Sequence, residues 1–201
     1  MKDKIIHELE EHIPFTIIAS VSAIIITFII SQLTKFQYSE PIFESFHIAH
    51  LLVSAFATTT VYYKYKKSIP MSIFVGLTGA ILIGTFSDAI FPYLSALVFN
   101  LHPHLHIPIL EQPILLISVA LIGTILGIFI KHNKLPHFLH VFLSTFASLF
   151  YLVSFTTMNN IGLWILATII IFLVVLIPCC LSDIIYPLLF IKNKKHNHSH
   201  T

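Results

Sequence analysis

Arginine is absent from the chain, and only 10% of its 201 residues are charged. No basic patch is left to grip nucleic acid, and a soluble domain of this length carries far more charge. A phosphate-cradling Gly-Lys loop and a Gly-x-Ser-x-Gly elbow are also missing. His7 and His12 stand five apart, so the four-residue His spacing of the zincins is missed as well. The two cysteines, Cys179 and Cys180, are adjacent, and neighbouring residues rarely meet disulfide geometry. They say little about redox compartment, and packing is the simpler role for them.

What is present is apolar. Hydrophobic residues make up 56% of the chain and the mean hydropathy is +0.90, more apolar surface than a soluble domain of this size buries. Crossing a hydrocarbon core takes roughly 20 helical residues, and stretches of that length recur at 13–34, 46–63, 70–98, 109–130, 136–155 and 161–190. The first lacks a small-residue cleavage site and reads as a permanent span rather than a signal peptide. The third and sixth are long and carry Ser87, Asp88 and Pro92, and Pro178, Ser182, Asp183 and Pro187, late in their length, which predicts kinked or broken helices.

With six spans, ten of the eleven lysines fall on one side of the membrane and Lys35 alone on the other. By the positive-inside rule this predicts a multi-pass protein of the cell (plasma) membrane with cytoplasmic N and C termini. The His102-Pro103-His104-Leu105-His106 loop is then external. It resembles the tail His196-Asn197-His198-Ser199-His200 as an alternating His tract that captures metal loosely.

The chain also repeats itself. The run from Phe46, with His47, His50, Ser54 and Ala57, matches the run from Pro136, with His137, His140, Ser144 and Ala147, 90 residues on. Ser87-Asp88, Phe91 and Pro92 match Ser182-Asp183, Tyr186 and Pro187, and a carboxylate, Glu11 or Glu111, precedes the first span of each half. Each half has an odd number of crossings, so the two must be inserted in opposite directions. The expected architecture is an all-α membrane protein of two inverted three-helix repeats, residues 1–100 and 101–191, followed by a His/Lys-rich tail at 192–201. Inverted repeats with discontinuous helices recur in secondary transporters.

Residues three apart share a helix face, so His47, His50 and Ser54 form a polar stripe, as do His137, His140 and Ser144. Asp88 lies eighteen residues past Pro70, about 27 Å along a helix, which sets it near the outer end with the first His pair. The inverted half repeats the calculation at the inner face. Two clusters follow: an outer one of His47, His50, Asp88 and Glu111, and an inner one of His137, His140, Asp183 and Glu11. Two imidazoles with one or two carboxylates suit a divalent zinc, manganese or iron ion. In the simpler alternative each Asp caps a half-helix while the histidines bind backbone carbonyls. Recurrence of the same positions in both halves favours the metal.

The leading expectation is therefore a divalent transition-metal transporter or exporter, with lipid and metal as partners and a homodimer as its assembly. The alternative is a membrane metalloenzyme, hydrolytic or oxidative, using the same clusters. Haem ligation is disfavoured because carboxylates lie at matched depth with the histidines. The glycines Gly76, Gly79, Gly84, Gly123 and Gly127 are expected to let helices approach closely.

Overall fold

The computed structural model describes residues 2–33, 40–130, 134–156 and 161–191. Among them no strand occurs, and the elements are α1 (Lys2–Leu33), α2 (Glu40–Tyr65), α3 (Ile69–Thr78), α4 (Phe91–Val98), α5 (Pro108–Glu111), α6 (Pro113–Phe129), α7 (Lys134–Phe155), α8 (Ile161–Cys180) and α9 (Tyr186–Leu189). Three π-helical turns, Gly79–Ile83, Phe86–Ile90 and Leu181–Ile185, carry α3 into α4 and α8 into α9. The tail at 192–201, with His196, His198 and His200, lies outside the described residues.

Helices are the structure this composition allows, because a helix pairs its own backbone groups where no water can. Among the described residues, four stretches are long and apolar enough to cross a membrane: Glu40–Tyr65, Ile69–Val98, Pro136–Phe155 and Ile169–Leu189. Ile13–Ile29 and Pro113–Phe129 are shorter apolar helices. Outward-facing Ile18, Leu82, Ile114 and Phe129 expose large apolar side chains, as contact with lipid tails requires.

Boundaries differ from the sequence reading where prolines act. Helix α2 begins at Glu40 rather than near 46, because Pro41 sits in its first turn, where a missing N–H costs nothing. The span expected at 109–130 is interrupted at Gln112, since Pro113 drives the residue before it out of helical geometry. The late-proline helices are bulged rather than broken. Pro92 and Pro187 each follow a π turn, and the wider turn accommodates a ring that would clash with the carbonyl four residues back.

At the centre α2 packs against α7; α6 lies on the free side of α2, and α1 on the free side of α7. Thr16, Ala19, Ser20, Ala23 and Thr27 recur every three or four residues as the buried stripe of α1, small enough for close approach. Two glycines do the same for α6. A Cβ on Gly123 would lie 2.1 Å from the Leu52 carbonyl oxygen and one on Gly127 2.6 Å from that of Phe56, so only hydrogen fits at these crossings. Thr60 Oγ1 spans the same contact, 2.9 Å from Phe56 O and 3.2 Å from Gly127 O.

Gly123→Val should therefore lower the thermal stability of the detergent-solubilised protein by about 3 kcal/mol, the upper end for overpacking. Ser118→Val, at an exposed position of the same helix, should change it by under about 0.5 kcal/mol. Equal stabilities would mean that α6 does not seat on α2 as described.

Candidate functional site

The helical register of α2 puts His47, His50 and Ser54 on its buried face, and the π turn Phe86–Ile90 turns Asp88 toward them. His47 Nδ1 donates to Asp88 Oδ2 at 2.8 Å, and His50 Nδ1 contacts the same oxygen. The other oxygen, Oδ1, accepts from Ser87 Oγ at 2.8 Å and from Ser144 Oγ at 2.7 Å. All four lone-pair positions of the carboxylate are thus used, two by α2, one by its own turn and one by α7. His47, His50 and Asp88 have no exposed surface.

The second cluster is built the same way. His137 Nδ1 donates to Asp183 Oδ2 at 2.8 Å, and His140 Nδ1 lies 2.7 Å from that oxygen. Thr58 Oγ1 of α2 donates to Asp183 Oδ1 at 3.1 Å. The backbone is held across helices too, by Ser148 Oγ to Ser87 O at 3.0 Å and by Thr58 Oγ1 to Ser182 O at 3.4 Å. Thr16 Oγ1 of α1 lies 2.8 Å from His137 Nε2. His137, His140 and Asp183 are each 1% exposed.

An ionised carboxylate only accepts hydrogen bonds, so the imidazoles bonded to it, those of His47, His50 and His137, carry their proton on Nδ1, leaving Nε2 as a lone pair, whereas His140 Nδ1 lies close to Asp183 without hydrogen-bond alignment. On His47 and His50 that Nε2 is buried and makes no hydrogen bond. A carboxylate holding one imidazole nitrogen while the other stays open is the arrangement that orients histidines toward a metal. The set His47, His50 and Asp88 places its ligand atoms within 4.8 Å of one another, as does the set His50, His140 and Cys179. Open imidazole nitrogens with a thiol at hand, backed by a carboxylate, fit a zinc- or iron-class divalent ion.

Several expectations need correction. The clusters were set near opposite membrane faces, but the rings of His50 and His140 stand 4.6 Å apart between centroids, so the two meet inside the protein. The depth estimate failed because it began α2 near residue 46; from Glu40, His50 is ten residues in, about 15 Å along the helix. Glu111 does not join His47, His50 and Asp88. It faces His106, with its Oε1 3.0 Å from His106 Nδ1. The side chain of Glu11 lies outside the described residues. Cys179 packs in the apolar core with Val141 and Val175, as read from the sequence, and also lies beside His50 and His140. Thr58 was missed, although it lies one turn beyond Ser54 on the same stripe, and Thr16 carried no signal beyond its place on a helix face.

No protein-family model, curated protein or solved structure matches the chain.

Removing Asp88 strands two buried imidazole N–H donors at once, while Ser87 and Ser144 keep Gly84 O and Ser87 Oγ as acceptors. Asp88→Ala should destabilise the metal-free protein by about 3–5 kcal/mol, the range for breaking a buried charged network. Asp88→Asn, which keeps an acceptor oxygen, should cost only about 1–3 kcal/mol. Thermal unfolding in detergent measures both, and an alanine variant as stable as the asparagine one would remove the carboxylate from its organising role.

Proposed function

We propose that this chain is a transporter of divalent transition-metal ions, built of six membrane crossings as two inverted repeats, with the metal passing through the paired His–His–Asp centre. One observation carries the reading: two buried His–His–Asp sets, each with its Asp on an equivalent π-bulged turn, come into ring contact at His50 and His140. Every donor is buried, so the cargo is of ionic size, which favours transport over an enzyme acting on an organic substrate.

The repeat draws support from contacts that recur with the halves exchanged. Helix α1 packs on α7 as α6 packs on α2, and the turn at Phe86–Ile90 packs on α7 as the turn at Leu181–Ile185 packs on α2. Ser148 reaches the carbonyl of Ser87 as Thr58 reaches that of Ser182. In this reading Ile13–Ile29 and Pro113–Phe129 are the first crossing of each half. A centre at the meeting of two inverted halves near mid-bilayer is the arrangement that lets rocking expose it to either side.

Charge balance gives the coupling. Two ionised carboxylates in a low-dielectric interior are costly unless neutralised. One divalent ion neutralises both, and so do two protons. Metal binding that releases protons therefore becomes exchange of one divalent ion for two protons, with no net charge left buried at either stage.

In vesicles reconstituted with the purified protein, zinc or iron flux driven by a proton gradient should fall at least tenfold in both Asp88→Asn and Asp183→Asn, because a series path is limited by its slower step. Loss in only one variant would instead point to chemistry housed in one cluster. Retained metal with no flux under any gradient would transfer the protein to the metalloenzyme reading.

Orientation has its own check. With Cys179 and Cys180 replaced by serine, a cysteine at exposed Leu105 should react with an impermeant thiol reagent applied to intact cells, and one at exposed Lys67 should not. Labelling of both positions from outside would end the cytoplasmic-termini assignment.

A further inference from the structure

A second group of metal-ligating side chains lies apart from the paired centre, and neither carboxylate of that centre takes part in it. Glu40 and Glu44 stand one turn apart at the start of α2, Glu111 ends α5, and His106 closes the loop before α5. One oxygen or nitrogen from each of the four lies within 4.8 Å of the others. His106 Nδ1 is 3.0 Å from Glu111 Oε1 and 3.4 Å from Glu40 Oε1, and His106 Nε2 is 3.5 Å from Glu44 Oε1.

Two features separate this group from a solvated patch of acids. His106 is 3% exposed, and its Nε2 makes no hydrogen bond although it faces Glu44. Its placement is also enforced. The His106 backbone N–H donates to Tyr151 Oη at 3.2 Å, Tyr151 Oη donates to the His104 carbonyl at 3.1 Å, and the His106 ring stacks on Phe155 at 5.1 Å. Gln112 Nε2 fixes the Glu44 carboxylate at 2.9 Å. Segments far apart in sequence thus hold three carboxylates around one buried imidazole. Carboxylates this close repel one another, and even an imidazolium would offset only one of three negative charges. A divalent cation, which the neutral imidazole can ligate, offsets two.

We infer that Glu40, Glu44, His106 and Glu111 form a second divalent-metal site, of manganese or ferrous type, distinct from the paired centre. Three oxygens and one nitrogen suit Mn2+ or Fe2+ better than a thiolate-seeking ion, and the imidazole distinguishes the site from an all-oxygen calcium cage. One ring separates the two places. Phe43 stacks on His47 at 5.7 Å and meets His106 edge-on at 5.7 Å. Two of the carboxylates, Glu40 and Glu111, are half exposed, so this site is open to solvent where the paired centre is not. The site does not depend on the transport reading.

The test uses Mn2+ with the purified full-length protein in detergent, followed by electron paramagnetic resonance. Asp88→Asn/Asp183→Asn, which disables the paired centre, should still bind one Mn2+ per chain, with a spin-echo modulation from one imidazole nitrogen. Adding Glu111→Gln, a conservative change at a half-exposed position, should weaken that binding at least tenfold, and adding His106→Gln should abolish the nitrogen modulation. Exposed Glu10→Gln should leave both unchanged. The inference is overturned if the Asp88→Asn/Asp183→Asn protein binds no Mn2+, if the bound ion shows no nitrogen modulation, if Glu111→Gln binds as before, or if Ca2+ displaces Mn2+ at equal concentration. Loss of binding only in the Asp variants would leave the paired centre standing without this site. Binding that survives there with no metal at the paired centre would do the reverse.

Discussion

A carboxylate inside a bundle of apolar helices must be satisfied on every side, and Asp88 and Asp183 impose that demand on the fold twice over. Each answers it with donors from two different helices. Asp88 takes two imidazoles from α2 and a hydroxyl from α7; Asp183 takes the His137 imidazole from α7 and a hydroxyl from α2. Neither α2 nor α7 can leave the centre without stranding a charge. The π turns serve the same demand, because widening the helix at Phe86–Ile90 and Leu181–Ile185 lets an Asp face inward just before a proline that an ordinary turn would not admit.

The rest of the packing follows from bringing α2 and α7 that close. Their contact faces are rich in small hydroxyl residues, with Ser54, Thr58, Ser144 and Ser148 all buried, and bulkier side chains there would hold the carboxylates out of reach. Large aromatics sit at the ends instead. Phe43, Tyr151 and Phe155 pack edge to face between the centre and the His106 loop, with Phe43 and Tyr151 centroids 5.1 Å apart. Polarity in the middle and aromatic closure at one end is the reverse of an ordinary soluble core, and it explains why hydroxyls and imidazoles dominate the buried polar residues.

Much of this could be read from residues alone. The His pairs, their spacing to Ser54 and Ser144, and the Ser-Asp steps before Pro92 and Pro187 named the side chains that the structure brings together, because i,i+3 periodicity fixes a face whatever the helix packs on. Depth was not legible. It depends on where a helix starts, and Glu40 and Pro41 extend α2 by more than a turn beyond its apolar run, which moves His50 toward the middle of its helix. The partner of Glu111 was not legible either. Sequence order placed it at the start of a span on the expected outer side, whereas its position is set by the bend at Gln112 and by a loop anchored through Tyr151, both tertiary facts. Among the described residues, four helices meet the length and apolarity of a crossing, and the two shorter ones show why counting spans from hydropathy is firmer at the centre of a run than at its ends.

The same contacts determine what could move. Gly123 and Gly127 set α6 against the backbone of α2 so closely that these helices can shift only as a pair, and the small-residue stripe of α1 ties it to α7 in the same way. The interface between the pairs is different in kind. Beside the stacking of Phe46 on Phe146 and Phe150, it includes hydroxyl-to-carboxylate and hydroxyl-to-carbonyl bonds through Ser144, Ser148 and Thr58, together with the His50–His140 contact. Bonds of that sort exchange partners at little net cost when a new acceptor is offered, whereas interlocked backbones do not. On the transport proposal a cation at the centre would offer such an exchange, neutralising Asp88 and Asp183 and freeing the serine and threonine hydroxyls to turn away. On that proposal the seam along which the protein would open is the one that runs through the paired centre, with α2 and α6 on one side and α1 and α7 on the other.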